Sequence, residues 1–356
     1  MAAGSFGATL VRHRLVRQAL AAPLVDATAV VTRLLAVQAQ DLRQARWAVA
    51  SRCTVPDALT RALTAQSVVR TWPMRGTLHL VAAGDARWML RLLAPRMTSA
   101  LAHRRAQLGL DATQVERARA VVIATLAGGR AATRAALFEG WVAAGIDPTK
   151  QRGYHLLSLF AHEALVVQAG LDGEEPTFSL LDEVPTAAAA GPDGDDALEH
   201  LARRYVDGHG PATAQDLAWW SGLPLTQCRR GLRAVAALRA LPHDGAEYFV
   251  DPDWAPPPPA GVHLLAGFDE LHLGYRDRSA HLDPAHAGLV CPGANGVFRP
   301  TVLVGGRMVG TWQPTVTRAG VTARATWFEG PPDADVGPAL QAYAAHLGKP
   351  GAGWVA

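Results

Sequence analysis

Lysine is almost missing from this chain: Lys150 and Lys349 stand against 32 arginines in 356 residues. Both lie in loop-like contexts, so a lysine nucleophile forming a Schiff base has poor candidates. Cysteine is nearly as scarce. Cys53, Cys228 and Cys291 are widely separated and form no C-x-x-C pair, a spacing that supports neither a disulfide framework nor a structural zinc or iron–sulfur site. No metal or redox cofactor is expected. Long apolar runs are absent too, because the longest uncharged stretches, residues 254–268 and 284–298, are broken by Gly and Pro and fall short of the roughly 20 apolar residues a membrane helix requires. Near the N-terminus Arg12, Arg14 and Arg17 interrupt each apolar run, which removes the continuous core of a secretory signal. The expectation is a cytoplasmic protein that makes no use of a membrane. What remains, 49% apolar and 18% charged, is ordinary for a folded chain of two to three domains.

Charge is distributed unevenly. Residues 1–130 hold 18 Arg and no Lys against six acids, a net +12, whereas residues 131–200 hold three basic residues against twelve acids, a net −9. The remaining residues, 201–356, are balanced at 13 of each sign. A basic block of this size is the electrostatic footprint of a polyanion binder. Charge alone leaves a solvated arginine-rich surface as the other reading.

A repeat supplies the organisation. Ala132-Thr133-Arg134-Ala135-Ala136-Leu137 aligns with Ala212-Thr213-Ala214-Gln215-Asp216-Leu217 eighty residues later. In each copy Thr can cap a helix that stops at a glycine, Gly145 or Gly222. Each glycine is followed by a proline, Pro148 or Pro224, and then by Thr149 or Thr226, which could cap a second helix. The pattern is helix-turn-helix. Strand-like stretches follow at 165–168 with 178–180, and at 247–250, in the position of a wing. The N-terminal segment repeats the logic with helices expected near 27–37, 42–53 and 57–65, then a hairpin over 68–81 with its turn at Pro73-Met74-Arg75-Gly76. The fold class is therefore expected to be α+β, with three tandem winged-helix units. Their limits are residues 1–110, 111–185 and 196–253, with a linker over 182–196. Four consecutive prolines, Pro256 to Pro259, form a stiff linker. Beyond it, residues 260–356 carry short alternating strands read as a small β-barrel or sheet, closed by a helix near 336–347.

Chemistry concentrates at Gln38-Ala39-Gln40-Asp41. On a helix, residues two apart diverge by about 200°, but in an extended segment both amides share one side. Asp41 followed by Gln44 has the spacing of a capping box, so a helix starts at Asp41 and the glutamines lie in the turn before it. Each amide offers one acceptor and two donors, suited to holding a water but not to deprotonating it. By spacing alone the pair also reads as two polar residues in a surface turn. Arg70, Arg75 and His79 sit on or beside the first hairpin, and Arg229, Arg230 and Arg233 on the second helix of the last repeat, where phosphate contacts would position DNA without specifying sequence. His79, ending an apolar strand, reads equally as a hydrogen-bonded core residue. His272, His281 and His286 are read as surface or turn residues, and Trp47 and Trp72 as core.

Three separated segments resemble the winged-helix DNA glycosylases of the AlkZ-like family: Leu34-Leu35-Ala36-Val37-Gln38-Ala39-Gln40-Asp41 with Ala45-Arg46-Trp47-Ala48, Arg70-Thr71-Trp72-Pro73-Met74-Arg75-Gly76-Thr77-Leu78-His79, and Phe268-Asp269-Glu270-Leu271-His272-Leu273-Gly274-Tyr275-Arg276-Asp277-Arg278. The resemblance covers nearly the whole chain. It implies three winged helices and a C-terminal barrel around a DNA-binding cleft, with Gln38 and Gln40 at the catalytic water. Some relatives carry Gln-x-Asp; Gln40 places this chain nearer the Gln-x-Gln branch, which is similar to enzymes that remove bulky or crosslinked N7-alkylguanines. The implied protein is a monomeric, monofunctional DNA glycosylase acting on double-stranded DNA that carries alkylated guanine, in repair or in self-resistance to a genotoxic natural product. The alternative is a non-enzymatic winged-helix DNA-binding protein or transcriptional regulator.

Overall fold

The computed structural model describes residues 3–187, 190–252 and 260–355. Helices α1 (Ala3–Arg17) and α2 (Ala27–Leu34) precede a two-residue strand β1 (Val37–Gln38) and helix α3 (Leu42–Ala50). Helix α4 (Ala58–Thr64) leads into the hairpin β2 (Val68–Met74) and β3 (Thr77–Ala82), then α5 (Ala83–Ala100), α6 (Ala102–Gln107), α7 (Ala112–Leu126), α8 (Arg134–Ala143) and α9 (Arg152–His162). A second hairpin, β4 (Val166–Asp172) and β5 (Glu175–Leu180), is followed by α10 (Gly194–His209), β6 (Ala212–Thr213), α11 (Ala214–Ser221), α12 (Leu225–Ala234) and the hairpin β7 (Arg239–His243) and β8 (Ala246–Val250). The C-terminal part contributes β9 (Val262–Leu265), α13 (Glu270–Leu273), α14 (Ala287–Val290), β10 (Thr301–Val304), β11 (Arg307–Val316), β12 (Val321–Trp327), α15 (Gly337–His346) and β13 (Ala352–Val355). The expected proline linker at 256–259 lies outside the described residues. Of the other expected linker, 182–196, the described part carries only the tail of a short 3-10 turn before α10 starts at Gly194.

Local capping chemistry sets many of these starts. Thr133 accepts from the Ala136 N–H at 3.2 Å, and Thr213 forms a reciprocal capping box with Asp216. The helices they start end in glycines with φ of 73° at Gly145 and 75° at Gly222, a conformation that costs other residues the clash of a β-carbon. The following helices do not start where expected. Lys150 and Gln151 both adopt positive φ, and Asp147 Oδ1 takes the Thr149 N–H, so α9 begins only at Arg152. Thr226 lies inside α12, whose cap position is Pro224. The turn of the first hairpin is tighter than the expected four residues: Arg75 and Gly76, with φ of 55° and 70°, make it alone.

The described residues divide into two compact units, 1–59 with 201–356, and 60–200. In the unit 60–200 the two hairpins join as one antiparallel sheet of order β3-β2-β4-β5, bridged at Arg70 opposite Gln168. Trp72, Trp141, Phe160 and Phe178 fill its apolar core with Leu137 and Leu156. In the other unit β8 pairs with β6 and β7 behind α11 and α12. The expected C-terminal barrel does not close. Five strands form an open sheet of order β13-β12-β11-β10-β9, in which β9 and β13 are the two edges. Closure fails because the last strand adds in parallel beside β12 rather than returning to β9.

Candidate functional site

The segment carrying the two glutamines is shaped by a strained turn. Helix α2 ends at Leu34, and Leu35 follows with φ 63° and ψ −47° while the Ala36 N–H donates to the Leu34 carbonyl at 2.8 Å. That is a γ-turn of the rare positive-φ kind, unfavourable for a branched side chain. Leu35 is fully buried, so packing holds it there. Support comes from α10. Arg204 donates to the Thr32 carbonyl at 2.8 Å, and Gly208 packs so closely that a β-carbon would overlap the Arg33 carbonyl oxygen.

Past the turn the chain is extended. Val37 and Ala39 are buried, Gln38 is half-buried and Gln40 exposed, so the alternation puts both amides on the less covered side. Gln38 Oε1 is itself buried and accepts no hydrogen bond from the described residues. A buried acceptor left unmatched costs about 1–3 kcal/mol, which a donor such as a bound water would recover.

Asp41 then starts α3, its carboxylate accepting from the N–H groups of Arg43 and Gln44 at 2.9 and 3.3 Å. The expected reciprocal half of the capping box is absent. Gln44 instead uses its Oε1 to accept from the Gly267 N–H at 2.7 Å. Two further anchors follow along α3: the Trp47 indole donates to the Leu264 carbonyl at 2.7 Å, and Arg52, just past its end, pairs bidentately with Asp269 at 2.7 and 2.9 Å. Residues 44, 47 and 52 span an arc of about 140° on a helix, so one face of α3 is fastened to residues 264–269. The helix that the glutamines precede is thereby fixed in place and rotation.

The third of the family-like segments is structural in these positions. Trp220 and His209 converge on Glu270 Oε1, Gln18 reaches the Glu270 carbonyl and the Tyr275 hydroxyl, and Tyr275 donates to the His209 carbonyl at 2.8 Å. Arg14, almost fully buried, lies 3.7 Å above the Tyr275 ring, donates to the Pro211 carbonyl at 3.1 Å and sits 3.6 Å from Asp216. Sequence reasoning missed Arg14, Gln18, Arg52 and Glu270. Among 32 arginines no local signal marks the two that are buried; only partners distant in sequence do.

The other expected site residues separate into groups. Arg70 is half-buried and donates across the sheet to Gln168 Oε1 at 2.7 Å. Arg75 sits in the hairpin turn, and its guanidinium donates to His79 Nε2 at 3.2 Å. Since Arg75 can only donate, His79 carries its proton on Nδ1 and gives it to the Thr77 carbonyl at 2.9 Å. His79 is 0% exposed; burial first, and the Arg75 charge second, push its pKa down to about 3. It is a neutral core histidine behind Arg75. Arg229, Arg230 and Arg233 are all exposed on α12, with Arg233 3.7 Å from Glu247. Trp47 and Trp72 are buried, as expected. His272 and His281, expected at the surface, are buried as well, because His272 packs on Phe298 with ring centres 4.7 Å apart and His281 lies behind it. His286 stacks on Phe328 at 4.8 Å. A cavity of about 630 Å³ opens beside α2, lined by Arg17, Asp26, Thr32, Arg33, Arg204 and Asp207; neither glutamine lines it.

The chain is similar to known DNA glycosylases in sequence and in overall structure. The model of the AlkZ-like DNA glycosylase family matches residues 31–348. An interstrand DNA cross-link repair glycosylase of Streptomyces sahachiroi is 29% identical over 313 residues, covering 81% of this chain and 82% of that protein. The solved structure of the Streptomyces sahachiroi DNA glycosylase AlkZ superposes with a TM-score of 0.76, over 98% of this chain and 99% of that one, at 25% identity.

Proposed function

Because this chain belongs to the AlkZ-like DNA glycosylase family, we propose that it is a monofunctional DNA glycosylase. Its substrate is bulky or crosslinked N7-alkylguanine in double-stranded DNA, and its role is repair or self-resistance to a genotoxic natural product. The observation that carries the reading is the buried Oε1 of Gln38, without a partner among the described residues and on the same side of an extended segment as Gln40.

An N7-alkylated deoxyguanosine already carries a positive charge. When its bond from C1′ to N9 breaks, the bonding pair leaves with the base, which departs neutral without an acid. The sugar is left oxocarbenium-like, a water oxygen adds to C1′, and the water's proton passes to solvent. An amide cannot take that proton, but two amides can hold the water in line, a positioning effect. Asp41 is spent on capping α3. Lys150 lies in the turn before α9 and Lys349 in the connection between α15 and β13, both outside this segment, which supports hydrolysis over lyase chemistry.

Residues 1–110, 111–185 and 196–253 are taken as three winged-helix units of a cytoplasmic monomer. Arg70, Arg75, Arg229, Arg230 and Arg233 are taken as docking residues for phosphate, with His79 supporting Arg75 from behind. The test is incubation with duplex carrying one N7-alkylguanine, followed by alkaline cleavage of any abasic site. Bulky N7 adducts are expected to be excised at least as fast as N7-methylguanine, and uracil not at all. Efficient uracil removal, or no cleavage with any N7 adduct, sinks the proposal.

A further inference from the structure

The glutamine segment offers no aromatic side chain of its own against which a base could rest, yet a row of planar groups stands close to α3. The rings of Phe268 and Phe298 meet edge to face with centres 6.1 Å apart. The Arg278 guanidinium follows, 5.6 Å from the Phe298 ring and 5.2 Å from the ring of Trp219. Gly267 ties the row to α3. A β-carbon on it would sit 2.9 Å from the Phe298 carbonyl and 3.3 Å from Gln44 Oε1, so Phe298 stands one residue's width from the first turn of the helix that the glutamines precede.

This row is exposed where it could have been covered. Trp219 is 45% accessible, Leu289 and Val297 on the chain segment leading to Phe298 are also exposed, and Phe268, Phe298 and Arg278 are half-buried. Its base is rigid nonetheless. The neighbouring Trp220 is buried and anchored to Glu270, and Arg278 Nε donates to the His272 carbonyl at 2.7 Å. Arg276 and Arg299 lie exposed on the same two segments. The exposed Trp219, with the Arg278 guanidinium 5.2 Å from its ring centre and Phe298 on the other side of that guanidinium, presents flat π-faces and positive charge together. The occupant that matches flat π-faces rimmed by positive charge is a nucleobase with its phosphates, since every base presents a stacking face whatever its identity.

We propose that Trp219, Arg278 and Phe298 form a stacking surface for an unpaired nucleobase of the bound DNA. The proposal rests on DNA being the substrate. It accounts for how a site whose glutamine segment carries no aromatic side chain of its own could hold a strand opened around a bulky lesion.

The test uses the full-length protein and two duplexes of equal length, one fully paired and one with a single bulged 2-aminopurine, each titrated at several salt concentrations. Wild type is expected to prefer the bulged duplex and to quench its fluorescence. Trp219→Ala should weaken binding of the bulged duplex by about 5- to 150-fold, the range of one lost base–aromatic stack, and abolish most of the quenching. Its affinity for the paired duplex and its salt slope should hold, since no phosphate contact is removed. Trp219→Phe should restore most of the loss. Wild-type quenching and affinity in Trp219→Ala overturn the stacking surface alone, and an equal loss on both duplexes with a shallower salt slope makes it a phosphate site instead. Failure of wild type to bind either duplex removes the DNA reading and this proposal together.

Discussion

The two units of the molecule are held together by different means. In the unit 60–200 the core is apolar, built on Trp72, Trp141, Phe160 and Phe178, and its charge pairs, such as Arg119 with Glu163 at 2.6 Å, lie at the surface. In the other unit the core is threaded by charge: Arg52 with Asp269, Arg14 beside Asp216, and Glu270 gathering Trp220 and His209. Apolar packing tolerates small rotations of its elements. A buried bidentate pair tolerates little, because any slip leaves a charge desolvated and unmatched. The glutamine segment, whose proposed chemistry depends on aim rather than on acid or base strength, is carried by the charge-threaded unit.

The comparison breaks first at its strongest contact. Asp269→Ala leaves Arg52 buried without its carboxylate and should cost about 3–5 kcal/mol, read by urea unfolding. A loss under about 1 kcal/mol would mean that these buried charge pairs do not set the stability of their unit. Next comes Gly208→Ala, whose β-carbon must push the Arg33 carbonyl away. A displacement of the order of 1 Å at the strained Leu35 turn should lower single-turnover excision by about 10²-fold, with affinity for undamaged duplex kept. An unchanged rate would free the glutamines from α10.

Acid should weaken both units. His79 and His272, one in each, have pKa values pushed down to about 3, burial being the first cause in both. They stay neutral in the folded chain while their unfolded counterparts protonate below about pH 6.5. Their contribution is therefore complete above that pH and lost as pH falls toward 3, by about 1.4 kcal/mol per pH unit for each residue. Unfolding free energies at pH 7.5 and pH 5 measure this. His79→Gln should flatten the profile, and a wild-type profile already flat over that range would contradict the burial. The smallest effect belongs to the surface pair: Glu163→Ala should cost less than about 1 kcal/mol, and a larger loss would erase the contrast with Asp269→Ala.

The first helix start of each repeat, the start at Asp41 and the glycine stops were readable from sequence because they are local, whereas the expected caps at Thr149 and Thr226 and the length of the first hairpin turn were not. Thr133, Thr213 and Asp41 each act within three residues, and the positive-φ glycines end helices without help from afar. Strand order was not readable. Whether β13 closes a barrel depends on where a strand docks after a helix, and the two hairpins of the unit 60–200 merge through a single opposed pair, Arg70 and Gln168. At the candidate site the spacing of Gln38 and Gln40 and the helix start at Asp41 were legible. The γ-turn at Leu35, the close pass of Gly208 and the diversion of Gln44 to Gly267 were not, since each is set by a residue more than a hundred positions away or by packing around a buried side chain.

The central claim is that two amides aim one water at a lesion that is ready to leave. Single-turnover excision of a bulky N7-alkylguanine from duplex DNA by Gln38→Ala and by Gln40→Ala, with duplex affinity measured alongside, tests it most directly. Each substitution is expected to slow excision by about 10²-fold or more while leaving affinity nearly constant. Wild-type excision rates in both variants would contradict the account and move the catalytic water elsewhere in the chain.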